Sequence, residues 1–278
     1  MKRHSENFWK KFRNSLSLSD KKVFSLSRIC LERGPEKILE DVSWEMNLGE
    51  DWLLFGPNGS GKSTLISILF GTLWPTSGTV TVFGAQYGEC LMKDIQKRIG
   101  ILQSGLQYNM LQRNLTASEI IGTGLIGTIG LFREFTVEEK ETLSELISKN
   151  RWLKNPDKQF FLHSDGEKQK ILLLRSLISR PELLILDEPM SHLDYGARES
   201  FLEFLCEKKS QYGFSSVFIT HRLEEMPEFI THALILSEGK TVSKGRLEGV
   251  ITAENISDVF GIPVSLEKRK GRISVFPA

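Results

Sequence analysis

The sequence is poor in the features that place a protein outside the cell or across a bilayer. Its three cysteines, Cys30, Cys90 and Cys206, lie far apart and form no C-x-x-C pair. That spacing excludes a dense disulfide framework and a cysteine-ligated zinc site, and it fits reduced thiols. No apolar run approaches the ~20 residues that a spanning helix needs. The longest weakly polar stretch, 120–132, is interrupted by Gly122, Gly124, Gly127 and Gly130. The N-terminus lacks the apolar centre of a secretory signal. Charge of neither sign dominates, since 36 Lys and Arg face 35 Asp and Glu for a formal net charge of +1. That balance gives no electrostatic reason to expect a nucleic-acid partner. A cytosolic chain is expected, with any membrane role exercised through other proteins.

What is present is a phosphate cradle. Residues Gly56, Pro57, Asn58, Gly59, Ser60, Gly61, Lys62, Ser63 and Thr64 fit G-x-x-x-x-G-K-[ST]. The glycines let the backbone curl until successive N–H groups point at one anion, and a helix starting near Gly61 aims its positive end at the same point. Lys62 can reach the β- and γ-phosphates, and the Ser63 hydroxyl can ligate Mg²⁺. The flanks agree: 51–55 (DWLLF) reads as a buried strand and 64–70 (TLISILF) as an apolar helix. The alternative, a plain turn before a helix, leaves the full match of Gly56, Gly61, Lys62 and Ser63 to the pattern unexplained. A nucleoside triphosphate, taken as ATP with Mg²⁺, is the expected ligand.

A second constellation lies downstream. Residues 183–186 (LLIL) form an apolar run that ends abruptly in Asp187 and Glu188. In an open α/β sheet ligands sit beyond the carboxyl ends of the strands, which brings both acids near the cradle. Asp187 is placed to hold Mg²⁺, directly or through water, and Glu188 to orient or deprotonate an attacking water. Strands are expected at 23–26, 42–46, 52–55 and 80–83, broken by Gly34-Pro35, Asn47-Leu48-Gly49 and Ser77-Gly78. After a helical middle, helices at 168–179 and 197–211 alternate with strands at 183–186, 216–220 and 233–237, the pattern of a mostly parallel sheet flanked by helices. Residues 1–22 form a basic leader in which Phe8, Phe12 and Leu16 share a helical face, suited to packing on the domain or to an anionic membrane surface.

The order of these motifs resembles the nucleotide-binding subunits of ABC transporters, over roughly residues 23–276. Residues 98–103 (RIGILQ) resemble the Q-loop, 164–169 (SDGEKQ) the signature motif, 191–194 (SHLD) the D-loop and 219–221 (ITH) the switch histidine. The resemblance implies a P-loop NTPase of the α/β class, with an antiparallel β subdomain and an inserted helical subdomain at about 104–165. It implies an ATPase domain at 23–255 and a short tail at 256–278. Glu188, His221 and Gln103 become the expected catalytic residues, and Ser63, Gln103 and Asp187 the expected Mg²⁺ ligands. Two cassettes, identical or related, would pair head to tail, so that Ser164, Gly166 and Glu167, with Asp194, meet the partner's γ-phosphate. Transmembrane permease subunits are the further partners implied, with a solute-binding protein as an optional one. The chain would then sit on the cytoplasmic face of the membrane, with Tyr108, Met110 and Leu111 as candidate permease contacts. Residues 119–135 and 259–264 look most like importer ATPases for molybdate or iron chelates. A soluble ABC switch acting on ribosomes or DNA is the competing reading; the single cassette and the lack of a coiled-coil insert speak against it.

Two departures from the family pattern stand out. Asp165 occupies the first glycine of the usual signature; turned outward it would cap the helix expected at 168–179, and turned inward it would repel phosphate. The segment 31–34 (LERG) carries no aromatic where the family stacks one on adenine. Either the planar guanidinium of Arg33 stacks in its place or recognition of the base is weak. With stacking, Arg33→Ala is expected to raise the Kd for ATP several-fold in equilibrium binding, and an unchanged Kd would dismiss the stacking role.

Overall fold

The computed structural model describes residues 22–103, 114–128, 130–269 and 272–278. The proposed leader helix, and Tyr108, Met110 and Leu111, lie outside the described residues. Lys22, taken as the end of the leader, is the first residue of a strand.

Twelve strands and eight α-helices are described. In chain order they are β1 (Lys22–Arg33), β2 (Glu36–Asn47), β3 (Asp51–Phe55), α1 (Lys62–Phe70), β4 (Ser77–Val82), β5 (Ala85–Gln86), α2 (Met92–Gln96), β6 (Ile99–Gln103), α3 (Ala117–Ile126) and α4 (Val137–Lys149). There follow α5 (Asp165–Leu177), β7 (Leu183–Asp187), α6 (Tyr195–Tyr212), β8 (Ser215–Thr220), β9 (His232–Ser237), β10 (Lys240–Arg246), α7 (Leu247–Val250), α8 (Ala253–Phe260), β11 (Val264–Arg269) and β12 (Arg272–Pro277). The central sheet has the order β10-β9-β3-β8-β7-β6 and is parallel except for β10. The order β2-β1-β4-β5 forms a separate antiparallel sheet. The resemblance to P-loop NTPases implied both sheets.

The central strands read as unbroken apolar runs because both of their faces are covered. Alternate side chains enter opposite cores. Leu53, Phe55, Leu184, Leu186, Phe218 and Ile235 pack with the helices α3, α5 and α6 on one side. Trp52, Leu54, Leu183, Ile185, Val217 and Leu234 pack with α1 and the antiparallel sheet on the other. Buried Asp51 fixes α6 to the amino ends of β3 and β8, accepting from Lys209 Nζ at 2.6 Å and Ser216 Oγ at 2.7 Å.

The helices α3, α4 and α5 all begin the same way. Thr116 with Glu119, Thr136 with Glu139 and Ser164 with Glu167 form reciprocal capping boxes. Each satisfies two backbone N–H groups that have no partner inside the helix. Helix α5 thus starts three residues before the expected 168–179, and Ser164, not Asp165, is its cap. Arg175 of α5 donates to Thr123 Oγ1 at 2.9 Å and the Thr128 carbonyl at 2.8 Å, tying α3 to α5. Burial lowers that guanidinium to about 10. The C-terminal residues fold into the β11–β12 hairpin, held on α6 by a two-pronged Arg272–Glu199 ion pair. β10 and this hairpin were not expected from the sequence.

Candidate functional site

The loop 56–61 leaves the carboxyl end of β3 and turns into α1. Its path is fixed by contact with neighbouring strands. A Cβ on Gly56 (φ +152°) would lie 2.0 Å from the Leu236 carbonyl oxygen of β9, and one on Gly61 (φ +100°) would lie 2.8 Å from Leu39 Cδ2 of β2. Only glycine fits either position. The Ser60 hydroxyl is buried in the same turn and makes no hydrogen bond among the described residues. A buried hydroxyl without a partner is costly, and a phosphate oxygen in the cradle would supply its acceptor. The triphosphate therefore fits this loop.

Lys62 is buried, with Nζ donating to the Gly56 and Pro57 carbonyls at 2.8 Å each. Burial lowers its pKa, while the charges of Glu188 and Asp187 push it up. Asp187, at the end of β7, is raised by burial and by Glu188. Lys62 and hydrogen bonds from Gln103 and Ser63 oppose that rise. The sheet register explains this gathering: Gln103 of β6 pairs with Asp187 of β7, which pairs with Ile219 of β8. One hydroxyl, one amide and one carboxylate thus meet beside the loop. These are hard oxygen donors, few in number, which is how Mg²⁺ is held when phosphates supply its other ligands. The residues fit the ion.

Glu188 follows Asp187 with a positive φ of 46°, fixed by its N–H donating to the Ile219 carbonyl at 3.0 Å. Its Oε1 lies 3.0 Å from Nδ1 of His221, which follows β8. An acid and a histidine from adjacent strands are therefore locked together at the sheet's carboxyl edge, where a bound γ-phosphate would present its attacking water.

The remaining expected residues lie apart from this edge. Ser164, Gly166, Glu167 and Asp194 line a cleft of about 770 Å³ with Asp165, His192 and Ala197, and no residue of the phosphate loop lines it. Ser164 Oγ accepts from the Glu167 N–H at 3.3 Å and donates to Glu167 Oε2 at 3.2 Å. Asp165 is half-exposed at the rim of this cleft, and its carboxylate pairs with Lys168 Nζ at 3.1 Å. Arg33 is exposed at the tip of the β1–β2 hairpin, whose Ile38 and Leu39 pack against Gly61.

Sequence reasoning passed over Glu225 and His163. Buried Glu225 accepts from Thr220 Oγ1 at 2.9 Å and lies 3.7 Å from Arg198, whose Nε donates to the Leu193 carbonyl at 2.9 Å. It thereby joins the segment before His221 to the one before Asp194. Its only signal was an acid four residues after the switch histidine. His163, directly before Ser164, is buried beside it.

The family profile described as ABC transporter matches residues 39–191, more than half of the chain. The "Uncharacterized ABC transporter ATP-binding protein YmeB" of Lactococcus lactis is 32% identical over 257 residues, covering 92% of this chain and 99% of that protein. The "Ferric enterobactin transport ATP-binding protein FepC" of Escherichia coli is 26% identical over 235 residues, covering 84% and 86%. Among solved structures, cbiO1 from Clostridium perfringens, part of the ABC transporter complex cbiONQ, superposes with a TM-score of 0.72 at 20% identity, covering 86% and 94%.

The pairing of Asp165 with Lys168 leads to a definite expectation. Asp165→Gly should leave ATP turnover within three-fold and destabilise the fold by no more than about 1 kcal/mol, the value of an acid in a helix's first turn. A ten-fold rise in turnover would show instead that the carboxylate repels phosphate.

Proposed function

The chain belongs to the ABC transporter family as an ATP-binding, ATP-hydrolysing subunit, and we propose that two copies close around ATP and Mg²⁺ to drive solute import through separate membrane subunits. The observation that carries this reading is the convergence of Lys62, Asp187, Glu188 and His221 beyond the carboxyl ends of β3, β7 and β8.

In this proposal the loop N–H groups, the Ser60 hydroxyl and Lys62 neutralise the phosphate oxygens, with Pro57, Asn58, Gly59 and Thr64 completing the cradle. Ser63, Gln103 and Asp187 would hold Mg²⁺, which would supply further positive charge to the phosphates. Glu188 takes the proton of the water that attacks the γ-phosphorus, the bond to the bridging oxygen breaks, and ADP and phosphate leave. His221 fixes the Glu188 carboxylate through the 3.0 Å contact. Most of the rate then comes from positioning and charge rather than covalent chemistry.

One chain holds only half of this arrangement. The cleft lined by Ser164, Gly166, Glu167 and Asp194 would receive the second copy's γ-phosphate, using the N-terminus of α5. Pairing then gates hydrolysis. No described helix is long and apolar enough to cross a membrane, so attachment at the cytoplasmic face would come through permease subunits. Similarity to ATP-binding proteins named for ferric enterobactin transport and for sulfate/thiosulfate import supports a metal chelate or an oxyanion as the solute.

Glu188→Gln is expected to lower kcat by about 100-fold or more, the scale of a lost general base, while ATP binding persists and a dimer accumulates with ATP in gel filtration. Turnover at the wild-type rate would remove Glu188 from the mechanism. His221→Ala should lower kcat with little change in the Kd for ATP, as expected of a group aligned in the transition state.

A further inference from the structure

His163 sits at the edge of the second cleft, directly before the serine that caps α5. Its side chain is only 4% exposed, and neither ring nitrogen makes a hydrogen bond among the described residues. A buried imidazole without a partner is expensive. One acceptor is close: Nδ1 lies 3.4 Å from Glu167 Oε2, about 0.5 Å beyond a good N–H···O distance. That same Oε2 accepts from the Ser164 N–H at 3.0 Å and from the Ser164 hydroxyl at 3.2 Å. Hydrogen bonding from the Ser164 backbone is the main reason that the Glu167 carboxyl titrates below its usual range.

The Ser164 hydroxyl has a single proton. While that proton is given to Glu167, it cannot also be given to a phosphate in the cleft. Resting on the reading of this cleft as the seat of the second copy's nucleotide, we propose that His163 is a positioning residue for ATP hydrolysis. Carrying its proton on Nδ1, it closes onto Glu167 Oε2, takes the place of the Ser164 hydroxyl there, and frees that hydroxyl to donate to the incoming phosphate. No covalent bond changes. The exchange satisfies the buried imidazole, keeps Glu167 bonded, and leaves the backbone half of the capping box intact.

The test is steady-state ATP turnover by the full chain under conditions where it pairs, with thermal melting as the check on folding. His163→Leu keeps the apolar bulk and removes the donor; it should lower kcat at least five-fold, and a smaller loss overturns the proposal. His163→Gln restores an N–H donor and should turn over at least twice as fast as the leucine variant; anything less overturns it. Because His163 acts through Glu167, adding His163→Leu to Glu167→Ala should change kcat less than two-fold, as interacting positions require. A two-fold or larger additional loss shows that the two act independently and overturns the proposal. If the leucine variant does not melt as a folded protein, the same coupling criterion applies to His163→Gln combined with Glu167→Ala. Ser164→Ala separates the two ideas. Wild-type turnover in that variant refutes the reading of the cleft, and the role of His163 with it. Impaired Ser164→Ala beside unimpaired His163→Leu refutes only the latter.

Discussion

The close passage of Gly56 beneath β9 governs the nucleotide end of this molecule. With 2.0 Å between an imagined Cβ and the Leu236 carbonyl oxygen, the chain can turn out of β3 only as bare backbone. A larger residue would push the loop off the sheet, and the N-terminus of α1 would lose its aim. Because the turn is held by sheet backbone on one side and by Leu39 on the other, the cradle is set by the fold before any anion arrives. Such preorganisation matters because donors that need not move at the moment of reaction cost nothing to align.

The charges are arranged on the same frame. Lys62 is buried where its ammonium is disfavoured, and Asp187 is buried where its carboxylate is disfavoured. Each offsets the other's desolvation, and Glu188 adds a second negative charge that supports Lys62 and strains Asp187. A buried pair of this kind is weak as a stabiliser of the fold. Its value lies in holding opposite charges a short reorientation from where phosphate and metal would engage them. The positive φ at Glu188 fits the same picture. Left-handed backbone is unfavourable for a glutamate, and the hydrogen bond to Ile219 holds it there so that the carboxylate meets His221.

Much of this was legible in the sequence, and the rest failed for identifiable reasons. The cradle could be read because its glycine, lysine and serine spacing is a backbone requirement, written locally. The strands β3, β7 and β8 could be read because burial on both faces leaves a continuous apolar run. β1 and β2 each extend over 12 residues, well past the expected 23–26 and 42–46, because their outer ends alternate with polar residues such as Glu32, Lys37 and Glu40. β10, KTVSKGR, is exposed at every second position and carries one large apolar residue, so it is specified by pairing with β9 rather than by its own composition. The start of α5 was misplaced because Asp165 drew attention as a cap, when the Ser164-x-x-Glu167 box one residue earlier was the stronger local signal. His163 carried no sequence signal that separates it from an ordinary core residue, and Glu225 only its spacing from His221, since their importance lies in what the fold places beside them.

The expected site residues divide between two surfaces of the chain. The phosphate loop, Asp187, Glu188 and His221 share one edge of the sheet, and Ser164, Gly166, Glu167 and Asp194 share another surface. The second surface begins a 13-residue helix whose first turn is closed by its own capping box. A helix end that has already satisfied its serine with its own glutamate is stable on its own, which suits a chain that spends time unpaired. It becomes a phosphate site only if something competes with that internal bond. The competition is a small energetic matter, one hydrogen bond exchanged for another, and an equilibrium so nearly balanced is one that a second copy's triphosphate can tip. In the proposed pair the capping box would serve both states: it finishes the helix in the separate chain, and it would hold in reserve the hydroxyl that the partner's phosphate takes up.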